Sequence, residues 1–292
     1  MTPDTTPTPP GAAATNGPLK PEALLLIAGN GRYPLDLAAA AKAQGVRRLC
    51  VIALRGETTR AIGRLADEIH WLPLGKFQLL LDTVQATGIA HAVMAGQVTP
   101  TAIFRLAFLM DQRLRALVTR LPAINAHTVF PAIADELRGV GVELLPAYLF
   151  MEAKMPAAGT LTARAPTGAQ TEDIRLGLRA AKLTSSLEIG QTVVVKNGAI
   201  LAVEAFEGTD AAIRRAGKLG GAGAVVVKVA KRGHDMRFDV PVVGLRTLRS
   251  LRRARVGALA IEAGRTIMLE RESFLRRAER AGICVVAVDA QE

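Results

Sequence analysis

Two stretches of this chain carry most of the residues able to do chemistry. One is Glu204-Ala-Phe-Glu207-Gly208-Thr209-Asp210; the other runs from Lys228 through Lys231, Arg232, His234, Asp235, Arg237 and Asp239 to Pro241. Each places ionisable groups at the end of an apolar run, where a sheet opens to solvent. If the second stretch is extended, Asp235, Arg237 and Asp239 point to one side. Paired carboxylates make a hard-oxygen site of the kind magnesium takes, commonly completed by phosphate oxygens. Lys228, Lys231, Arg232 and Arg237 could then neutralise charge on a transferring phosphoryl group. The same residues fit a plainer reading, in which Arg237 bridges two acids and Thr209 or Asp210 caps a helix. Spacing alone leaves both open.

A second candidate is the turn Ile27-Ala28-Gly29-Asn30-Gly31-Arg32-Tyr33-Pro34, between a strand and a helix. A glycine backbone and a helix N-terminus can approach a phosphate or sugar there. The turn fails as a dinucleotide fingerprint, because the third glycine is replaced by Pro34 and the acid expected after the second strand by Leu54-Arg55. Ligands of open α/β sheets bind at strand C-termini, so Gly29, Asn30 and Gly31 remain candidates, with Gly96 and Gln97 of the later Gly96-Gln97-Val98 turn lining the same crevice. Gly75-Lys76-Phe77 and Gly217-Lys218-Leu219 lack the hydroxyl that a P-loop needs after its lysine. His70, His91, His127 and His234 have no ligand spacing, and Cys50 and Cys284 fall inside predicted strands.

The elements that must position these residues follow from hydrophobic periodicity. The first half reads as strands at 23–28, 48–54, 68–72 and 91–95, with helices at 34–44 and 77–87. Alternation of that kind predicts βαβ units and a Rossmann-like parallel sheet. Helices at about 101–120 and 129–139 and a strand at 142–146 complete it; the apolar stretch 103–110 could shield acyl chains or simply pack a core. Residues 153–170, rich in Ala, Gly, Pro and Thr, read as a connection, and a helix is expected from Thr171. Asn197-Gly198 between two apolar runs predicts a hairpin, and runs near 224–229, 258–261, 266–269 and 284–288 predict a second α/β domain. The division is therefore a tail over 1–20, domains over 21–152 and 171–292, and a linker between them. The tail, with five Pro and five Thr in its first 18 residues, cannot build a core.

Composition narrows the class. Of 292 residues, 50% are hydrophobic and 22% charged, which excludes a mostly disordered chain. No apolar run approaches the roughly 18 residues a bilayer span needs. Two distant cysteines suit a reduced, cytoplasmic compartment. The net charge is +11, of which +8 falls in residues 151–292, so the second half should meet an anionic partner. Nucleic acid is disfavoured, because Phe238 is the only aromatic in the basic stretch 228–255. A phosphorylated substrate or reversible contact with an anionic membrane surface fits better.

The chain also resembles a known family. The motifs IAGNGRYP at 27–34, GKF at 75–77, AGQV at 95–98, GQTVVVKNGAILAVEAFEGTD at 190–210 and KRGHDMRFDVPVVGLRT at 231–247 are similar to those of the LpxI-type UDP-2,3-diacylglucosamine pyrophosphatases of lipid A biosynthesis. That resemblance implies a magnesium-dependent hydrolase splitting UDP-2,3-diacylglucosamine into UMP and 2,3-diacylglucosamine 1-phosphate, with the ligand between two domains. It implies an essential aspartate in the 234–241 block, aligned with Asp235 and, as second choice, Asp239; both are the expected metal ligands. His234 stands where the family usually has Gln. Asp235 would bind magnesium or orient water, and Lys228, Lys231 and Arg237 would stabilise phosphate charge. Gln191, Glu204, Glu207, Thr209 and Asp210 would position the site or contact the sugar, and Gly29, Asn30, Gly31, Gly96 and Gln97 would meet the nucleotide. Contact with the inner membrane surface and a homodimer are expected, and a non-catalytic nucleotide-sugar or anionic-lipid binder is the alternative.

Overall fold

The computed structural model describes residues 20–99, 109–124, 126–231, 235–238 and 240–289. The expected tail, the apolar stretch 103–108, Arg232, His234 and Asp239 lie outside the described residues.

The first domain is built from β1 (Ala23–Ala28), α1 (Tyr33–Ala43), β2 (Arg48–Leu54), β3 (Glu68–Leu72), α2 (Phe77–Thr87), β4 (His91–Ala95), α3 (Gln112–Thr119), α4 (Ala126–Gly139) and β5 (Glu143–Leu144). Its five strands form a parallel sheet in the order β3-β2-β1-β4-β5. The central strands are apolar on both faces because helices cover both. Leu24, Leu26, Leu49 and Val51 face one core, while Leu25, Ile27, Cys50 and Ile52 face the other. Where a helix over 101–120 is expected, the described part is α3, which starts after Asp111 because the Asp111 carboxylate accepts from the Leu114 N–H at 2.9 Å.

The second domain contains β6 (Gly159–Thr160), α5 (Gly168–Ser186), β7 (Thr192–Lys196), β8 (Ala199–Val203), α6 (Thr209–Gly220), β9 (Val225–Lys228), β10 (Val242–Val243), α7 (Leu245–Arg253), β11 (Ala258–Glu262), β12 (Ile267–Met268), α8 (Arg271–Arg280) and β13 (Cys284–Val288). Its six-stranded sheet is mixed, in the order β6-β13-β11-β9-β7-β8. β9, β11 and β13 run parallel; β7, β8 and β6 pair antiparallel. Part of the expected 153–170 linker is thus structured. Gly159 and Thr160 pair with Ala287 and Val286, and α5 begins at Gly168 because Thr167 and Gln170 form a reciprocal capping box.

The domains share a seam. β10 and β12 pair with each other, and Val240, Ile267 and Leu269 pack into the first domain's core beside Tyr33 and Leu37. Arg32, at the start of α1, reaches Glu270 at 3.6 Å.

Candidate active site

The chemistry-bearing residues of the second domain gather at one end of its sheet. β7 is antiparallel to β9, so Thr192 at the start of one pairs with Lys228 at the end of the other. Glu204 follows β8 and joins the same end through its N–H to the Thr192 carbonyl, 2.8 Å. Thr209 opens α6 and brings its hydroxyl between them. Lys228, 8% exposed, donates to Thr209 Oγ1 at 2.8 Å, and that hydroxyl donates to Glu204 Oε1 at 2.8 Å. The buried Thr192 hydroxyl lies 3.4 Å from it. A cation, a hydroxyl and a carboxylate therefore form one relay, with charge-assisted bonds at each end.

This geometry disposes of the helix-cap reading. The cap position of α6 is Gly208, at φ 81°, with no side-chain cap; the Thr209 hydroxyl serves Lys228 and Glu204 instead. Asp210 binds Arg246 through Oδ2 at 2.9 Å. Its Oδ1 and Glu204 Oε2 are buried without a hydrogen-bond partner among the described residues. Unsatisfied buried carboxylate oxygens are costly, and both are hard donors. Glu207 is held by Arg215 at 2.8 Å, which keeps its carboxyl below the usual range. Gln191 accepts the Val229 N–H at 3.0 Å through its carbonyl, tying the end of β9 to the start of β7.

Beyond β9, Lys231 pairs with Glu188 and is largely buried, and burial pushes its ammonium pKa down. The expected extended run through Asp235 is a turn. Asp235 Oδ1 accepts the Arg237 N–H at 3.1 Å and the Phe238 N–H reaches the Asp235 carbonyl at 3.2 Å. Asp is favoured at such positions because its short side chain bonds its own backbone two residues on. Arg237 also folds back on Asp235, with Nη2 to Oδ2 at 2.6 Å and Nε to Oδ1 at 2.9 Å. Asp235 and Arg237 are therefore an ion pair, the plainer reading for this acid, while Asp239 lies outside the described residues. The segment is pinned to the first domain, since Ala147 N–H donates to the Met236 carbonyl at 2.7 Å and Phe238 stacks on Phe130 with centroids 5.7 Å apart.

In the first domain the two glycine turns interlock. Asn30 N–H donates to the Gln97 carbonyl at 2.7 Å, and the Gln97 N–H returns to Asn30 at 3.1 Å. A Cβ on Gly29 would stand 2.7 Å from the Gln97 oxygen, and one on Gly96 2.7 Å from the Asn30 oxygen. These glycines are needed for backbone contact, as well as for any ligand. Gly31, at φ +99°, has open space beside it.

The sequence reading missed a buried ion pair. Lys182 on α5 and Glu262 at the end of β11 meet at 2.9 Å, 9% and 3% exposed. Their signal was a charge set within an otherwise buried pattern, Ala181-Lys182-Ser185 on the helix and ALAIE on the strand. Elsewhere among the described residues, Cys50, Glu68 and His70 have ligand atoms within 4.8 Å of one another. Glu68 is engaged by His70 at 2.7 Å and Arg48 at 3.1 Å, and burial pushes the Cys50 thiol up to about 12. That trio is a salt-bridged sheet edge.

Fold and cluster together define a two-domain α/β protein whose second sheet ends in paired cations and carboxylates, a setting suited to a phosphate-bearing ligand. The LpxI N-terminal domain matches residues 23–153 and the LpxI C-terminal domain residues 157–286; the chain belongs to the LpxI family. It is 31% identical over 280 residues to UDP-2,3-diacylglucosamine pyrophosphatase LpxI of Caulobacter vibrioides, covering 91% of this chain and 98% of that one. Among solved structures it is similar to the biotin carboxylase subunit of pyruvate carboxylase (14% identity, TM-score 0.27, 63% of this chain). It is also similar to phosphoribosylglycinamide synthetase from Anaerococcus prevotii (19% identity, TM-score 0.23, 61% of this chain). The chain spans 38% of the length of each. No helix among the described residues is long and apolar enough to cross a membrane.

Proposed function

We propose that this protein hydrolyses the pyrophosphate bond of UDP-2,3-diacylglucosamine, giving UMP and 2,3-diacylglucosamine 1-phosphate in lipid A biosynthesis. The observation that carries the reading is the relay Lys228–Thr209–Glu204 at the sheet's end, in a chain 31% identical to a pyrophosphatase of that name. Water adds to one phosphorus, the P–O bond to the bridging oxygen breaks, and the water proton passes through a carboxylate to solvent. Asp235 is the residue for that proton. Arg237 orients it, through its own N–H and through Nε and Nη2 of the guanidinium. Lys228 and Lys231 offset the charge that builds on the phosphate oxygens.

Magnesium fits this site by donor chemistry, because Glu204 Oε2 and Asp210 Oδ1 are hard oxygens with no hydrogen-bond partner among the described residues. They would hold it, with Asp235 and Asp239 as the other acids of the set. When bound, the ion supplies Lewis-acid polarisation of the diphosphate. Gly31 and Asn30 face the nucleotide side. The same reading places the enzyme in the cytoplasm of a Gram-negative cell, as a homodimer in reversible contact with the inner membrane surface through its basic second half.

The test is UMP release from UDP-2,3-diacylglucosamine with magnesium or with EDTA, for wild type, Asp235→Ala and Glu204→Gln. Magnesium-dependent release by wild type, its loss in a folded Asp235→Ala, and a higher magnesium requirement in Glu204→Gln support the reading. A folded wild type that binds substrate and releases no UMP overturns it in favour of a binding protein.

A further inference from the structure

We propose that Lys182 and Glu262 are positioning residues that clamp the backbone of Ala230 and so set the course of the chain into Lys231; this deepens the hydrolase reading and rests on it. Lys182 Nζ donates to the Ala230 carbonyl at 3.0 Å and to both Glu262 oxygens at 2.9 Å. Glu262 Oε2 accepts the Ala230 N–H at 2.7 Å. Both backbone polar groups of one buried residue are thus taken by the two members of one ion pair.

The place explains the device. β9 lies between β7 and β11, and its pairing with β11 stops at Lys228 opposite Ile261. Val229 still donates to Gln191, but at Ala230 the chain leaves the sheet while fully buried. A buried peptide without ladder partners costs about 1–3 kcal/mol per unpaired group, and the side chains of α5 and β11 replace the ladder. Six and eight residues on, Met236 and Phe238 are fixed to the first domain. Lys231 and Asp235 thus lie, in sequence, between the clamp and these contacts.

Stability alone does not account for ions at this depth. Well-packed apolar residues of similar volume commonly match or exceed a buried pair, whereas removing one partner strands the other's charge. What an apolar pair cannot do is hold the Ala230 N–H and carbonyl in one orientation.

The experiment compares wild type, Glu262→Gln, Lys182→Met and the double variant Lys182→Met/Glu262→Leu for thermal stability, kcat, KM and amide exchange. The double variant strands no charge, so it is expected to be at least as stable as either single one, while staying below wild type because the Ala230 N–H and carbonyl lose their partners. It should release UMP with kcat lowered about 100-fold and KM within about threefold, since a displacement near 1 Å costs that much. Exchange should quicken at residues 230 and 231 and stay slow at 225–228. A folded double variant with wild-type kcat, or unchanged exchange at 230 and 231, overturns the proposal. If wild type itself releases no UMP, the hydrolase reading fails, and the exchange data still decide the clamp.

Discussion

Replacing Lys228 with Met tests whether the strand-end relay acts on substrate or only on the fold. Met keeps most of the side-chain volume at a position 8% exposed, and it removes one donor, Nζ, from Thr209 Oγ1. The Thr209 hydroxyl still donates to Glu204, and the Thr192 hydroxyl 3.4 Å away can donate to Thr209 Oγ1 in place of the ammonium. The lost charge-assisted bond is worth about 1.5–3 kcal/mol, partly offset because an ammonium no longer has to be kept out of water. A net loss of at most about 2 kcal/mol corresponds to a fall in Tm of roughly 4–8 °C in a chain of this size. Activity should suffer more. Removing one preorganised donor from a developing oxyanion costs about 100- to 1000-fold, or roughly 2.7–4 kcal/mol. Steady-state UMP release measured 15 °C or more below the variant's Tm should therefore show kcat down about 100-fold, with KM changed much less, and Lys228→Arg recovering part of it. A folded Lys228→Met with kcat within about threefold of wild type would refute the assignment and leave Lys228 as an internal counter-ion for Glu204.

Other outcomes follow from the same geometry. Gly96→Ala should cost about 2–5 kcal/mol in a urea melt, because a Cβ 2.7 Å from the Asn30 oxygen adds overpacking to a φ of +92°. Gly31→Ala, at φ +99° with open space, should cost only about 1–2 kcal/mol, so equal losses would discredit the interlock. Arg215 holds the Glu207 carboxyl below its ordinary 4.5, so that stabilisation is complete above the unfolded value and fades as pH falls through the lower folded one. The Tm difference between wild type and Glu207→Gln should shrink on that acid side; a difference constant with pH would contradict it. Burial raises both Cys50, to about 12, and Cys284, so a thiol reagent at pH 8 should find no fast-reacting thiol in the native protein and two after denaturation.

Much of the fold was legible because the sheets are parallel or buried where the sequence is apolar. Runs such as LLLIA and CVIAL can only be strands covered on both faces, and helices of ordinary length lie between them. Asn197-Gly198 announced the β7–β8 hairpin, whose antiparallel pairing makes the second sheet mixed. Less legible was β6, two residues long, whose pairing with β13 is dictated by a partner more than a hundred residues away. The start of α5 at Gly168 was within reach, since Thr167-x-x-Gln170 is a capping box in the sequence; the acids at 172–173 drew attention three residues too far.

The site divides differently, along the line between local and long-range chemistry. Types and strand ends sufficed to single out Lys228, Thr209 and Glu204, but the order of the relay depends on β7 running against β9, which spacing does not encode. For Asp235 what was missed is local. An extended segment would put Asp235, Arg237 and Asp239 on one side, whereas Asp235 closes a turn on the Arg237 N–H and binds its guanidinium. The Asp235 carboxylate is therefore oriented by its own turn, a constraint that residue spacing alone does not carry. In the proposed reading Glu204 Oε2 and Asp210 Oδ1, which have no hydrogen-bond partner among the described residues, would hold the cation together with Asp235 and Asp239.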